Sequence, residues 1–185
     1  MLKITVPAVE LWNEQLLEFM STKKQDLALE HSLVSISKWE SKWKKPFLSD
    51  RKEDEKTREE TIDYVRCMTL TQNVDPNVYT CLTNKNIEEI NKYIRDPMSA
   101  TWFNDKKQVG PSRIVTSELI YSWMIKFGIP MECQKWHLNR LLTLIRVCKE
   151  EAEVESGAKK MSKSEILRSN AEINAARKKR LNTKG

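Results

Sequence analysis

Apolar and polar positions alternate over Leu2-Lys3-Ile4-Thr5-Val6, the period of a half-buried strand. Pro7 ends the run because it cannot donate to a ladder. In Asp26-Leu27-Ala28-Leu29-Glu30, Leu27 and Leu29 share a face, which makes this segment the expected partner strand. Leu11 to Met20 is apolar without a clean period and receives no assignment, and Ser21 to Lys24 reads as a polar connection. From Ser32 the spacing changes to three and four. Leu33, Ile36, Trp39 and Trp43 then form one apolar helical face as far as Pro46, with Glu40 off the stripe and expected to face water.

Asp50 to Glu60 is almost wholly charged and reads as a solvated loop entering a helix. Thr57 and Glu60 have capping-box spacing, with Ile62, Val65 and Met68 following on one face. Pro76 disfavours helical geometry at Asp75, so that helix ends before it. Ile87, Ile90 and Ile94 mark a short helix closed by Asp96-Pro97, and residues 102–113 read as an exposed loop. Thr116 is placed to cap a helix over Ser117–Phe127, with Gly128 at its left-handed end. Pro130 opens the longest predicted helix, Met131–Glu151, whose broad stripe of Trp136, Leu138, Leu141, Leu142, Leu144, Ile145 and Cys148 must meet a core or a partner. The Gly-Ile-Pro joint makes these two helices a hairpin. After a linker containing Ser156-Gly157, Ser162 and Glu165 form a second capping box for a last helix from Lys163 to about Arg180. Its apolar residues are so few that it would be marginal alone and would order on a partner.

The expected fold is therefore mainly α: a helical domain with a small N-terminal β-element and a basic C-terminal helical tail. Residues 1–155 form the body, β-prone over 1–31 and helical over 32–151, and residues 156–185 form the linker and tail. Four glycines in 185 residues are too few for the turns of an all-β sandwich. Of the net charge of +6, residues 159–185 carry +7 and residues 1–158 carry −1, so the basicity belongs to the tail. No apolar run approaches the roughly 20 residues of a bilayer span, and Glu10, Asn13 and Glu14 interrupt any secretory signal. A cytoplasmic protein is expected. Cys67, Cys81, Cys133 and Cys148 include no Cys-x-x-Cys pair and read as reduced, buried thiols.

No catalytic, cofactor or metal site is expected. Cys133 and His137 are four apart, within reach on a helix, but no carboxylate stands ready to orient the histidine. Glu59, Glu60 and Asp63 suit a solvated helix start, and the glycines are isolated, so no phosphate loop exists. Trp39 and Trp43 lie amid Lys38, Lys42, Lys44 and Lys45. An aromatic-basic surface for single-stranded nucleic acid is one reading, and a buried Trp face with solvated lysines is the favoured one. The candidate partner contacts are Trp39 and Trp43, then Trp136 and Leu141 on the long helix, and Arg177, Lys178, Lys179 and Arg180 in the tail. That basic run fits a phosphate backbone, an acidic protein surface or a merely solvated tail.

Several stretches read together as a pattern: Leu29-Glu30-His31-Ser32 to Trp39-Glu40-Ser41-Lys42-Trp43, Ile62-Asp63-Tyr64 to Val74-Asp75-Pro76, Cys133-Gln134-Lys135-Trp136-His137-Leu138-Asn139-Arg140-Leu141, and Met161-Ser162-Lys163 to Ala175-Ala176-Arg177 with the ending Leu181 to Gly185. Together they resemble the tail assembly chaperones that siphophages encode near the tape measure gene. The resemblance implies a non-enzymatic protein of the host cytoplasm that coats the long helical tape measure protein until tail tube subunits displace it. It implies no cofactor, with self-association an open possibility. Relatives often have a longer frameshifted form, and this chain's ending suits the short one. The rival expectations are a structural virion component, such as a head–tail joining or tail-completion protein, and a nucleic-acid-binding protein.

Overall fold

The computed structural model describes residues 1–13, 18–49, 51–103, 114–155 and 163–181. The fold is mainly α, with a small N-terminal β-element. Strand β1 (Leu2–Val6) pairs antiparallel with β4 (Gln25–Leu29), Ile4 opposite Leu27, as the alternation predicts. Ile4, Val6, Leu27 and Leu29 are buried, so one face of this pair seals the core. The unassigned stretch is also strand. β2 (Val9–Asn13) pairs with β3 (Glu18–Thr22), Val9 opposite Thr22, and Ser21 and Thr22 belong to β3 rather than to a connection. Both ladders keep one register, so the four strands are the halves of a single hairpin, interrupted where Pro7-Ala8 lies between Val6 and Val9. Thr22 ties the end of the β2–β3 pair nearest that interruption: its hydroxyl donates to the Val9 carbonyl at 3.0 Å and accepts the Val9 N–H at 3.1 Å. Adjacent apolar residues in Leu11-Trp12 and Phe19-Met20 erase the period-two signal in the sequence.

The chain leaving β4 is the hub of the body. Leu70 N–H donates to the Ala28 carbonyl at 2.8 Å, and Glu30 N–H donates to the Met68 carbonyl at 2.9 Å. Leu138 N–H donates to the His31 carbonyl at 2.7 Å. Ser32 then caps α1 (Leu33–Trp43) in a capping box with Ser35. Leu33, Ile36 and Trp39 are fully buried along one face of α1, as their spacing predicts. α2 (Arg58–Met68) begins at the Thr57–Glu60 capping box and buries Tyr64, Val65 and Met68 against α1. Asp75 caps a 3-10 turn over Pro76–Cys81, and Thr83 with Asn86 caps α3 (Asn84–Arg95).

α4 (Ser117–Lys126) ends at Gly128, whose φ of +64° is the left-handed conformation glycine adopts freely. The next helix departs from expectation. Residues 131–135 form a 3-10 turn, Trp136 is extended, and α5 runs over Leu138–Glu155. A tertiary contact causes the break: Ser32 and His137 form an antiparallel bridge beside the Leu138–His31 bond, which a continuous helix would forbid. α6 (Lys163–Leu181) is the expected last helix, while its capping residue Ser162 and the linker 156–162 lie outside the described residues. So does most of the expected loop, 104–113. Trp102 and Phe103 at its start are half-buried and not exposed.

Candidate functional site

The Trp39/Trp43 segment is a knot of structure. Trp39 has no exposed surface, and its indole N–H donates to the Glu60 carbonyl at 2.8 Å. Trp43 is half-buried, with its N–H on Asp63 at 2.9 Å. Lys42 Nζ reaches the other Asp63 oxygen at 2.6 Å, and Lys45 reaches Glu60 at 2.6 Å. Trp39 is thus withdrawn as a partner contact, because a core side chain offers a partner nothing. Glu60 and Asp63 are buried pairing partners and not solvated acids. The Lys45 hydrogen bond holds the Glu60 carboxyl below its usual range. At Asp63 burial pushes upward, but the bonds from Lys42 and Trp43 outweigh it and the carboxyl is lowered.

Glu40, expected in water, is buried. One carboxylate oxygen accepts the Phe47 N–H and the other the Ser117 N–H, each at 2.7 Å. Thr116 occupies the cap position of α4 but makes no side-chain capping bond, so Glu40 caps α4 from a different helix.

A second buried polar cluster sits at the hub. His31 Nδ1 shares a hydrogen bond with the Tyr64 hydroxyl, and the His31 and His137 rings meet edge to face at 5.1 Å. His137 Nε2 bonds the Tyr93 carbonyl at 3.0 Å, and the Tyr93 hydroxyl donates to Glu30 at 2.6 Å. Burial, aided by His137, lowers the His31 pKa to about 3; burial lowers His137 too and raises both tyrosines. Cys133 is buried in the 3-10 turn, off α5, so the spacing of four does not place it with His137 on one helix. Cys81 is buried as expected, whereas Cys67 and Cys148 are half-buried. Among the described residues no three His, Cys, Asp or Glu side chains gather as metal ligands would. The hub's groups are partnered and closed off, which suits anchoring.

The open apolar surface lies elsewhere. α5 uses Leu138, Leu141 and Ile145 for the core; Leu141 has no exposed surface and is withdrawn as a partner contact. The stripe is wider than the core needs. Leu142 and Ile145 on α5, with Trp123 on α4 and Phe127 just past its end, line a solvent-open cleft of about 360 Å³. The residues follow helical spacings, 123, 126 and the capping residue 127 at the end of one helix and 142, 145, 146 and 149 on the other. Among the described residues, those of its rim that carry charge are cationic: Lys126, Arg146 and Lys149. Arg146 also lies 3.9 Å over the Phe103 ring and 3.3 Å from Glu150, and Lys149 lies 3.9 Å from Glu153. A second groove of about 320 Å³ runs between α2 and α3, floored by Ile62, Val65, Leu82, Ile90 and Ile94, with Ile87 43% exposed beside it.

No protein-family model, curated protein or solved structure matches this chain.

The remaining candidates flank the cleft helix or lie in the tail. Trp136 is half-buried, with the Arg140 guanidinium 4.2 Å over its ring. Arg177, Lys178 and Arg180 are exposed on α6, and Arg180 stacks on Trp102 at 4.6 Å; the Lys179 side chain lies outside the described residues. Leu167 on α6 is 70% exposed. The broad α5 stripe is the sequence signal of the α4/α5 cleft, whereas Trp123 and Phe127 are not among the partner contacts expected from the sequence.

Proposed function

We propose that this protein is a tail assembly chaperone of a tailed phage. It holds apolar helical segments of a tape measure protein in the host cytoplasm until the tail tube assembles around them. The cleft between α4 and α5 carries this reading: an apolar floor open to water, on two helices, is the surface that receives an amphipathic helix. The resemblance of the quoted stretches to siphophage chaperones supports the choice of partner. No helix among the described residues is long and apolar enough to cross a membrane, which suits a protein that meets its client in solution.

Co-expression tests the proposal. The tape measure protein encoded beside this chain should be soluble with the wild-type chaperone and co-purify with it. It should become insoluble with the Trp123→Ala/Leu142→Asp variant, whose fold is checked by circular dichroism. Equal solubility with both would refute the cleft as the holding surface. Mass spectrometry of purified virions should detect the tape measure and tube proteins without this chain. Its stoichiometric presence would make it a virion component instead.

A further inference from the structure

Both grooves have cationic lining, Lys56 and Arg58 in the α2/α3 groove and three such residues in the α4/α5 cleft, which is the richer of the two. Its floor is Trp123, Phe127, Leu142 and Ile145, and its charged lining is Lys126, Arg146 and Lys149, with no acidic side chain among the described residues that line it. Glu150 and Glu153 stand one turn away and pair with Arg146 and Lys149 at the surface. Exposed pairs of this kind contribute little, being solvated and screened, so an incoming carboxylate competes with them readily.

We propose that the occupant of the α4/α5 cleft is an amphipathic helix whose apolar stripe is flanked by Asp and Glu. This rests on the chaperone reading and narrows its client: the acid-flanked helices of the partner enter here. An apolar stripe alone would be satisfied by any amphipathic helix. The cationic rim discriminates, because a basic flank brings like charges together at the cleft mouth while an acidic one completes three opposite-charge contacts. Arg146 is the best placed of the three. Its guanidinium is already held against Phe103, which reduces the side-chain freedom lost when a carboxylate binds it.

The test uses the full chain and three fluorescein-labelled helical peptides with one Leu/Ile stripe, flanked by Glu, Gln or Lys, in fluorescence anisotropy titrations. The Glu-flanked peptide is expected to bind about ten-fold more tightly than the Gln-flanked one at low salt, with the Lys-flanked peptide weakest. The preference should shrink in about 0.5 M salt, where the screening length is only a few ångströms. Lys126→Gln/Arg146→Gln/Lys149→Gln should level the three affinities, and Leu142→Asp should abolish all three. Equal affinities for the three peptides on wild type would overturn the charge preference while leaving the chaperone reading intact. No binding by any peptide would overturn both. Binding unchanged by Leu142→Asp would place the peptide elsewhere and overturn the assignment. A wild-type dimer in sedimentation that Leu142→Asp splits would make a second copy the occupant and overturn it as well.

Discussion

Glu40 joins the chain just after its own helix to the start of α4, 77 residues on, and its replacement isolates what that junction contributes. In the wild type its two carboxylate oxygens accept the Phe47 and Ser117 N–H groups, each at 2.7 Å, inside the core. Glu40→Gln keeps the shape but presents one oxygen and one NH2 group to two N–H donors. One donor is orphaned, at about 1–3 kcal/mol for a buried unsatisfied group. Glu40→Ala orphans both and leaves a void, so about 3–5 kcal/mol is expected. Against a total stability of about 5–15 kcal/mol the alanine variant is near the limit of folding, and the glutamine variant is the informative one. Urea unfolding followed by tryptophan fluorescence should give a lower midpoint for Glu40→Gln with an unchanged slope. Hydrogen exchange should speed up at the Ser117 amide before the amides of the α1 interior. A Glu40→Gln protein within about 0.5 kcal/mol of wild type, with Ser117 equally protected, would refute the capping argument.

Two further outcomes follow from the other buried groups. His31 is held neutral with its pKa lowered to about 3, so between pH 3 and 6.5 the unfolded chain binds more protons than the folded one. Its contribution is complete above pH 6.5 and lost as the pH falls. Unfolding free energy should drop by about 2 kcal/mol from pH 7 to pH 5 through this group, a drop that His31→Gln removes; an identical pH slope in the variant would discount the histidine. Trp39→Ala should cost about 3–5 kcal/mol by emptying a core position, while the folded fraction binds peptide in the α4/α5 cleft as wild type does, a comparison made by pairing urea melts with anisotropy.

Local rules carried the sequence reading a long way. The alternation in Leu2–Val6 and the shared face of Leu27 and Leu29 placed the β1–β4 pair, since a strand with one buried face must show that period. The caps at Thr57 and Gly128 act within a few residues and were read where they stand. What escaped was set by distant partners. Glu40 looks like a solvent residue on its own helix because the N–H groups it satisfies lie off that helix, at Phe47 beyond its end and at the distant Ser117. Residues 131–151 have an unbroken helical pattern, yet the His31 carbonyl claims the Leu138 N–H and splits the helix there. The cleft was half legible: the α5 stripe was broad enough to meet a core or a partner, but which residues the core would leave over depended on how α4 packs.

The bond between the His31 carbonyl and the Leu138 N–H also has a bearing on biosynthesis. By the time Met68 has been added, the first hairpin, α1 and α2 are all available to pair, but the remaining arm of their junction is still about seventy codons from being translated. At roughly 5–20 residues per second, the nascent chain spends on the order of ten seconds with that seam open. Throughout that interval the strand, α1 and α2 must hold together without the third arm of their junction.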